Sequence, residues 1–269
     1  MLFSDQLSGR LARGALLALS MTLAACGRGG GGGMAEFGGG FGGDITSSTG
    51  KQTEATEYSR NFAVHGIDVS KYQGPIDWHA VKAGGAAFAW IKATEGGNHA
   101  DPRFMENWQG AKAAGVPRGA YHFVYWCRPW QEEMAWFEQN VPVDPDALPP
   151  VLDVEATPES RTCKRTLTRE TVVPEMRAML QRMHRHYGKK PVIYVTVDFY
   201  QAILADNELE EYPIWIRSTK HHPTVKYGSR HWTFWQYQSD GRISGIGAKI
   251  DRNVFKGTVA EWNAWLKAN

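Results

Sequence analysis

Short apolar segments alternate with longer amphipathic segments from residue 61 to the end of the chain. The apolar segments have the length of strands. The first amphipathic segment carries helix signals, with Asp77 placed as an N-cap and Gly84 and Gly85 placed to end the helix. Eight strands are predicted, at residues 62–68, 86–92, 118–123, 150–155, 191–196, 213–217, 233–238 and 249–253. This alternation predicts an α/β protein whose strands close into a barrel.

The connection between the last two predicted strands is unusually short for such a barrel. Residues 239–248 contain three glycines and show no helical period, so no helix is expected there to cover the barrel wall. A parallel crossover needs a dozen or more residues, so this connection allows the last strands to run antiparallel. We therefore expect an irregular eight-stranded β/α barrel of the TIM type with fewer than eight helices.

The N-terminal region has the pattern of an export signal. Arg10 and Arg13 precede an apolar stretch, residues 14–25, which is shorter than the ~20 residues that a membrane span needs. The stretch ends in Leu23-Ala24-Ala25-Cys26, which resembles a bacterial lipoprotein signal whose cysteine is lipidated. Residues 1–26 are therefore predicted to be a lipoprotein-type signal peptide ending at Cys26. An ordinary secretory signal with an incidental cysteine is the alternative.

The next segment, residues 27–60, is predicted to be a Gly-rich flexible linker. Twelve of the 29 glycines lie between residues 27 and 50, with almost no large apolar residues among them. Such a segment cannot bury enough surface to offset the entropy lost on ordering its backbone. All 11 tryptophans follow it, so the folded domain is predicted to span residues 61–269.

Four acidic residues lie at the ends of predicted strands. Asp68 ends the first strand, Asp153 and Glu155 end the fourth, and Asp251 lies within the eighth. Residues two apart in a strand share a face, which places the Cα atoms of Asp153 and Glu155 roughly 6–7 Å apart. The first and eighth strands are neighbours in a closed barrel, so all four side chains are expected at its carboxyl-terminal mouth. Mutual repulsion would then keep whichever carboxyl is less hydrated protonated while its neighbour remains charged, an arrangement that suits glycosidic bond cleavage.

Charge and histidine spacing argue against two other classes of protein. The net charge of +2 is too small to indicate a nucleic-acid partner, and no basic run is interleaved with aromatic residues. His184 and His186 point to different sides of a predicted helix, and His221 and His222 have no acid close by in the sequence. We predict no metal site, although His122 could in principle meet the acids.

Several short motifs resemble the family 25 glycoside hydrolases, the Chalaropsis-type lysozymes. They occur in the order of that family and extend over residues 64–255. The matching motifs are His65-Gly66-Ile67-Asp68-Val69-Ser70, Tyr72-Gln73-Gly74, Ile91-Lys92-Ala93-Thr94-Glu95-Gly96, Gly119-Ala120-Tyr121-His122-Phe123, Leu152-Asp153-Val154-Glu155, Trp235-Gln236-Tyr237 and Ile250-Asp251-Arg252-Asn253-Val254-Phe255. The resemblance implies an irregular eight-stranded barrel and a muramidase that needs no cofactor.

The implied substrate is peptidoglycan, whose glycan strands would be cut at the β-1,4 bond from N-acetylmuramic acid to N-acetylglucosamine. By this resemblance Glu155 would be the general acid that carries the proton, and Asp153, Asp68 and Asp251 would line the same cleft as three charged groups. The nucleophile is either an adjacent carboxylate or the acetamido oxygen of the substrate, and we favour the second. Asp153 would then orient the acetamido group, while Asp68 and Asp251 would support the developing positive charge and hold the water.

Other residues near the mouth are candidates for binding the sugar. Tyr121, Tyr194 and Trp235 lie in or near strands that reach it and could stack on sugar rings, and Gln236 could donate a hydrogen bond. The sequence departs from the family after residues 213–216. There the family often has a small residue and a nearby aromatic one, and this chain has Arg217-Ser218-Thr219-Lys220-His221-His222. This departure puts the substrate's decoration in doubt rather than the chemistry.

Two cysteines remain besides Cys26. Cys127 and Cys163 follow the third and fourth predicted strands, which are adjacent in a barrel, so their loops lie at the same mouth. In an exported protein they are predicted to form a disulfide, with two free thiols as the alternative. The whole pattern predicts a monomeric enzyme that is exported and anchored by lipid to a bacterial membrane.

Two other functions remain open on the sequence alone. A wall-binding lipoprotein could have kept the cleft without turnover, although the complete set of acids argues against it. A metal-dependent carbohydrate deacetylase is the second alternative, and a chelator would abolish its activity while leaving a muramidase unaffected.

Overall fold

The computed structural model describes Ile45, residues 50–156 and residues 160–269. The predicted signal peptide, including Cys26, and most of the predicted linker lie outside the described residues. Within the described part, no helix is long and apolar enough to cross a membrane.

The described residues form nine strands, of which eight match the predicted ones. The additional strand, β3, has two residues and pairs only with the end of β2. The strands are β1 (His65–Val69), β2 (Phe88–Glu95), β3 (His99–Ala100), β4 (Arg118–Phe123), β5 (Val151–Val154), β6 (Val192–Val195), β7 (Ile214–Arg217), β8 (Phe234–Gly241) and β9 (Ile250–Phe255).

The strands close into an irregular barrel, as predicted. Their order around the ring is β1-β9-β8-β7-β6-β5-β4-β2, and the pairing of β1 with β2 closes it. Strand β1 is parallel to β2, and the neighbouring pairs from β2 and β4 round to β7 and β8 are parallel as well. Strand β9 is antiparallel to both of its neighbours, β8 and β1. The short glycine-containing connection before β9 explains this reversal, because it is too short for a crossover helix.

The described residues form eight α-helices. Six of them lie between strands, and the prediction of fewer than eight helices holds only for these six. These are α2 (Trp78–Ala83), α3 (Phe104–Ala113), α4 (Trp130–Asn140), α5 (Arg169–Tyr187), α6 (Val197–Phe199) and α7 (Thr224–Tyr227), with α1 (Glu54–Tyr58) before the barrel and α8 (Val259–Ala268) after it. Thr258 and Glu261 form a reciprocal capping box at the start of α8. That sequence signal was available and was missed.

Aromatic side chains fill the barrel interior towards the amino-terminal ends of the parallel strands. We call Phe88, Trp90, Trp215, Phe234 and Phe255 the aromatic layer. The rings of Trp90 and Trp215 stack at 5.6 Å between centroids, and the ring of Phe88 lies edge-on to that of Phe234 at 5.3 Å. These rings are almost completely buried, so the barrel has a dry floor beneath its mouth.

A glycine makes room for the largest of these rings. A Cβ atom on Gly119 of β4 would lie 2.1 Å from the ring of Trp90, which is far closer than two carbon atoms can approach. Packing therefore explains the glycine at position 119, since β4 faces the Trp90 indole at this level of the barrel.

The folded unit begins before residue 61, which corrects the predicted linker boundary. Ile45 is fully buried, and its backbone N–H donates a hydrogen bond to the Gly84 carbonyl oxygen at 2.9 Å. The N–H of buried Ala55 donates to the Lys220 carbonyl oxygen at 3.2 Å. These described residues belong to the same compact unit as the barrel. The glycine-rich composition hid them, because a few apolar residues at the end of a polar segment suffice to dock it.

Candidate active site

A cavity of about 390 Å³ opens at the carboxyl-terminal ends of the parallel strands. It brings together the four acids singled out in the sequence, which we call the carboxyl cluster: Asp68, Asp153, Glu155 and Asp251. The cavity is also lined by Lys92, Tyr121, Phe123, Tyr194, Thr196, Trp215, Arg217 and Gln236. Because inward-facing positions alternate along each strand, the acids of β1, β5 and β9 all project into this one space.

Asp68 is fixed at the bottom of the cavity by a connected set of hydrogen bonds. Its Oδ2 accepts from Gln236 Nε2 at 2.9 Å and from Asn253 Nδ2 at 2.8 Å. The Tyr194 hydroxyl donates to Gln236 Oε1 at 2.9 Å, and Trp215 Nε1 donates to Asn253 Oδ1 at 2.8 Å. These outer bonds orient both amides so that their NH₂ groups face Asp68. Burial still outweighs the two donors and raises the pKa of Asp68 to about 6.

Asp153 and Glu155 form the opposite wall. Asp153 is buried, and Glu155 follows one residue after β5 with its side chain partly exposed. Burial, with the charge on Glu155 as a second cause, raises the pKa of Asp153 well above its ordinary value. Burial also raises the pKa of Glu155. Both carboxyl groups therefore bind a proton more readily than a solvent-exposed acid does.

One oxygen of this pair has no partner. Asp153 Oδ1 is buried and makes no hydrogen bond with any other described residue. A buried acceptor without a donor is costly, so this oxygen is available to a donor group on a bound ligand.

Asp251 stands beside Asp68. The two residues are register partners on the antiparallel strands β9 and β1. Burial, with the charge of Asp68 as the next cause, raises the pKa of Asp251 to about 8. Asp251 is thus expected to bind a proton at neutral pH when Asp68 is charged.

Burial acts in the same direction on every acid of the carboxyl cluster. The sequence predicts a protonated glutamate among three charged aspartates, and burial raises the pKa of all four groups. The aspartates stand above the dry aromatic layer rather than in open solvent, which is why their charged forms are disfavoured.

Two cations share the cavity with the acids. Lys92 projects from β2, where its Nζ pairs with Glu95 Oε2 at 2.8 Å and lies 5.0 Å from the Phe123 ring centroid. Arg217 ends β7, and its charge opposes the pKa rise of Asp68, Glu155 and Asp251. Neither residue was assigned a role from the sequence. Lys92 lies two residues after the inward-facing Trp90 and Arg217 two after Trp215, so the strand period could have indicated that both face inward.

The candidate sugar-binding residues divide into two groups. Tyr121, Tyr194 and Gln236 line the cavity. Trp235 does not, since its side chain is fully buried on the outer face of β8 and its Nε1 donates to the Ser218 carbonyl oxygen at 2.8 Å. The prediction that Trp235 touches substrate is therefore corrected. Gln236 faces inward, so its immediate neighbour in the strand must face the helices.

The loops after β4 and β5 are joined at the rim of the cavity. Cys127 and Cys163 form a disulfide, with their Cα atoms 5.4 Å apart. Trp126 Nε1 donates to the backbone carbonyl oxygen of Glu155 at 2.9 Å. Both contacts fix the backbone that carries Glu155, so the loop after β4 acts as its support.

The described residues contain no group of three histidine, cysteine or acidic side chains arranged to hold a metal ion. His122, the histidine that could have met the acids, is fully buried and faces helix α4. Its Nε2 lies 2.9 Å from Glu133 Oε2, and its Nδ1 lies 2.7 Å from Thr94 Oγ1. His122 thus belongs to the packing between strand and helix, since the inward positions of β4 are those of Tyr121 and Phe123.

The sequence and the fold both match proteins already described. A family profile named "Glycosyl hydrolases family 25" matches residues 67–246. Lysozyme M1 of Streptomyces globisporus is 37% identical over 211 residues, covering 73% of this chain and 69% of that protein. The uncharacterized protein YegX of Escherichia coli K12 is 35% identical over 211 residues, covering 77% of this chain and 74% of that protein.

Two solved structures have the same fold as this chain. The family 25 glycosyl hydrolase from Bacillus anthracis superposes with a TM-score of 0.69 at 35% identity, covering 76% of this chain and 94% of that one. The bacterial lysozyme of Streptomyces coelicolor superposes with a TM-score of 0.67 at 34% identity, covering 76% and 97%. With its barrel, its carboxyl cluster and these relatives, the chain belongs to family 25 of the glycosyl hydrolases.

Proposed function

We propose that this protein is a muramidase that hydrolyses the β-1,4 bond from N-acetylmuramic acid to N-acetylglucosamine in peptidoglycan. Membership of a glycosyl hydrolase family supports the reaction type, and the names lysozyme and N,O-diacetylmuramidase among its relatives support the substrate. The observation that carries the proposal is the meeting of four carboxyl groups with raised pKa values in one cavity.

Glu155 is the general acid in this proposal. Its side chain is partly exposed at the rim of the cavity, where a glycosidic oxygen can reach it, and burial raises its pKa, which favours the protonated form that a general acid needs. Glu155 gives its proton to the leaving oxygen as the bond from that oxygen to the anomeric carbon breaks. The resulting carboxylate then takes a proton from the water that completes hydrolysis.

Asp153 positions the acetamido group of the substrate. Its buried Oδ1 lacks a partner among the described residues, and an acetamido N–H is a donor that would satisfy it. This contact would favour the charged form of Asp153 and so leave a proton on Glu155, where the reaction needs it. The acetamido oxygen attacks the anomeric carbon as the glycosidic bond breaks, and water then displaces that oxygen from the anomeric carbon. Asp68 supports the positive charge that develops, and Asp251 holds the water. A direct attack by a carboxylate is the other route to the same products.

Digestion of purified peptidoglycan tests the proposal. The full chain should release new reducing ends in the presence of a chelator, and Glu155→Gln should lower that rate by about 100-fold or more, because an amide cannot donate the proton. Glu57→Gln, an exposed residue on α1, is the matched control and should keep the wild-type rate. A chain that binds peptidoglycan without releasing reducing ends would instead be a wall-binding protein. A chain that releases acetate instead of reducing ends, and stops doing so when a chelator is added, would favour the deacetylase.

We also propose that the protein is exported and anchored by lipid through Cys26, with residues 27–44 as the tether. The apolar stretch before Cys26 supports this, as does the Cys127–Cys163 disulfide, since such bonds persist in oxidising compartments. Cells fed a labelled fatty acid should incorporate the label into the wild-type chain and not into Cys26→Ser. Equal labelling of both chains would contradict the anchor, and export without labelling would favour an ordinary secretory signal.

A further inference from the structure

Charges of opposite sign alternate around the mouth of the barrel. Strand β5 carries Asp153 and Glu155, and β9 and β1 carry Asp251 and Asp68 on the far side of the ring. Strands β2 and β7 also stand opposite each other, and they carry Lys92 and Arg217. A single strand, β6 or β8, separates β7 from each acidic wall. The cationic pair therefore flanks the place where a sugar would meet the acids.

The two cations differ in what they contact. Lys92 already has a partner, because its Nζ lies 2.8 Å from Glu95 Oε2. The guanidinium of Arg217 makes no hydrogen bond or ion pair with any other described residue, although its backbone N–H and carbonyl oxygen both bond to the Tyr227 hydroxyl. Other arginines of this chain hold acids with two bonds, as Arg165 does with Glu175. Arg217 thus presents an unused fork of donors to the cavity.

An unpaired guanidinium in a half-buried cavity has a clear chemical preference. Its planar donors match a carboxylate, which can accept two parallel hydrogen bonds. The sugar rings of peptidoglycan are neutral, and their anionic groups are attached through the lactyl ether of the muramic acid. That carboxyl group is either free or joined to a peptide, and the peptide carries carboxylates of its own.

We propose that Arg217 is a specificity residue that binds a substrate carboxylate attached to muramic acid, either the free lactyl carboxylate or a carboxylate of the stem peptide. This inference rests on the proposed muramidase function. The contact with Arg217 makes the enzyme prefer a glycan with free carboxylates over the same glycan with amidated carboxylates. Lys92 cannot serve equally, because its ammonium group already pairs with Glu95.

Two matched pairs of substrates test the inference. The first pair is peptide-free glycan with free lactyl carboxylates and the same glycan with those groups amidated. The second pair is peptide-bearing glycan with free peptide carboxylates and the same material amidated. The value of kcat/KM is measured on all four for the wild type and for Arg217→Ala, Arg217→Lys and the control Lys226→Ala, which removes an exposed cation from α7.

The wild type should prefer the free carboxylate by about ten- to hundredfold in at least one pair, as expected for a charge-assisted hydrogen bond. The pair that shows the preference identifies whether the lactyl group or the peptide supplies the carboxylate. Arg217→Ala should abolish the preference, mainly through KM. Arg217→Lys should retain a part of it because the charge remains while the fork is lost, and Lys226→Ala should retain all of it.

Four outcomes would count against the account, three against this inference and one against the proposed function. A wild type without preference in either pair overturns the inference, and so does a preference that survives Arg217→Ala. A uniform loss of rate on all four substrates in Arg217→Ala with the preference intact would mean that Arg217 only adjusts the acids, which also overturns it. Failure of the wild type to cleave any of the four would refute the proposed function itself. The wild-type comparison and Arg217→Lys keep the test decisive if Arg217→Ala does not fold.

Discussion

The barrel interior contains two regions that lie on the same strands and differ in almost every physical property. On β2 the inward positions change from Trp90 in the aromatic layer to Lys92 at the mouth, and on β7 from Trp215 to Arg217. One step of two residues, about 7 Å along a strand, separates the two regions. The aromatic layer is dry and closely packed, whereas the carboxyl cluster holds raised pKa values and an unpaired oxygen at Asp153.

This difference shows how a single fold divides its tasks. The aromatic layer contributes stability, because burying large rings removes apolar surface from water. The carboxyl cluster opposes stability, since its acids would be better solvated outside the barrel. Replacing a residue in the aromatic layer should therefore lower the free energy of unfolding, and replacing an acid should change the rate of cleavage without lowering that free energy.

The largest effect is expected from Trp90→Ala. Removing this fully buried ring should lower the free energy of unfolding by about 3–5 kcal/mol, because it leaves a cavity beside Trp215 and Gly119. Denaturant unfolding measures the change. Tyr72→Ala, which truncates an aromatic residue that is 74% exposed, is the control and should alter stability by less than about 0.5 kcal/mol. Equal losses in the two variants would contradict the role of the aromatic layer.

Asp153→Asn should produce the opposite result. An amide resembles the protonated acid in shape, and burial favours that neutral form, so the free energy of unfolding should stay the same or rise. The rate of peptidoglycan cleavage should fall by about 100- to 1,000-fold, because the substrate acetamido group loses a charged acceptor. Denaturant unfolding measures the stability of the variant, and a reducing-end assay on the same sample measures its rate of cleavage. Full activity in this variant would remove Asp153 from the mechanism.

The disulfide links the mouth to the stability of the whole domain. Replacing Cys127 and Cys163 by serine should lower the free energy of unfolding by about 2–4 kcal/mol, since the unfolded chain loses a loop constraint. The activity should also fall, because the bond joins the two loops that carry and support Glu155. A reducing agent should reproduce both effects in the wild type and leave the serine variant unchanged. A wild type that is insensitive to reduction while the bond is demonstrably broken would contradict this prediction.

The smallest effect is a pH dependence of stability. The pKa of Asp251 is about 8 in the folded protein, above its unfolded value of 3.8, so its contribution to stability is fully present below pH 3.8 and is lost as pH rises through 8. Asp251→Asn removes this loss. The variant should gain about 1–2 kcal/mol relative to the wild type between pH 6.5 and pH 8. Unfolding curves at both pH values measure the difference, and a constant difference would contradict the raised pKa.

The sequence predicted the barrel and the four acids because both follow from local rules. Alternating strand and helix patterns predict the closed sheet, and the acids at strand ends follow the strand period to the mouth. Trp235 was assigned to the wrong face because the strand period was not applied to its neighbour Gln236. The hydrogen bonds of Asn253 and the position of Arg217 depend on which strands meet across the closed ring. Only the tertiary structure supplies that information.

The early start of the domain was missed for a related reason. Ile45 and Ala55 lie at the edge of a glycine-rich and polar segment whose average composition predicts a linker. Their burial depends on the surface that the barrel offers, and composition averaged over a window does not contain that surface.

Mass analysis of the fragments released from purified peptidoglycan by the full chain tests the central claim most directly. A muramidase working through the carboxyl cluster must leave N-acetylmuramic acid at the new reducing end, and Glu155→Gln must leave almost no fragments. Fragments that end in N-acetylglucosamine, or an undiminished yield from Glu155→Gln, would contradict the account.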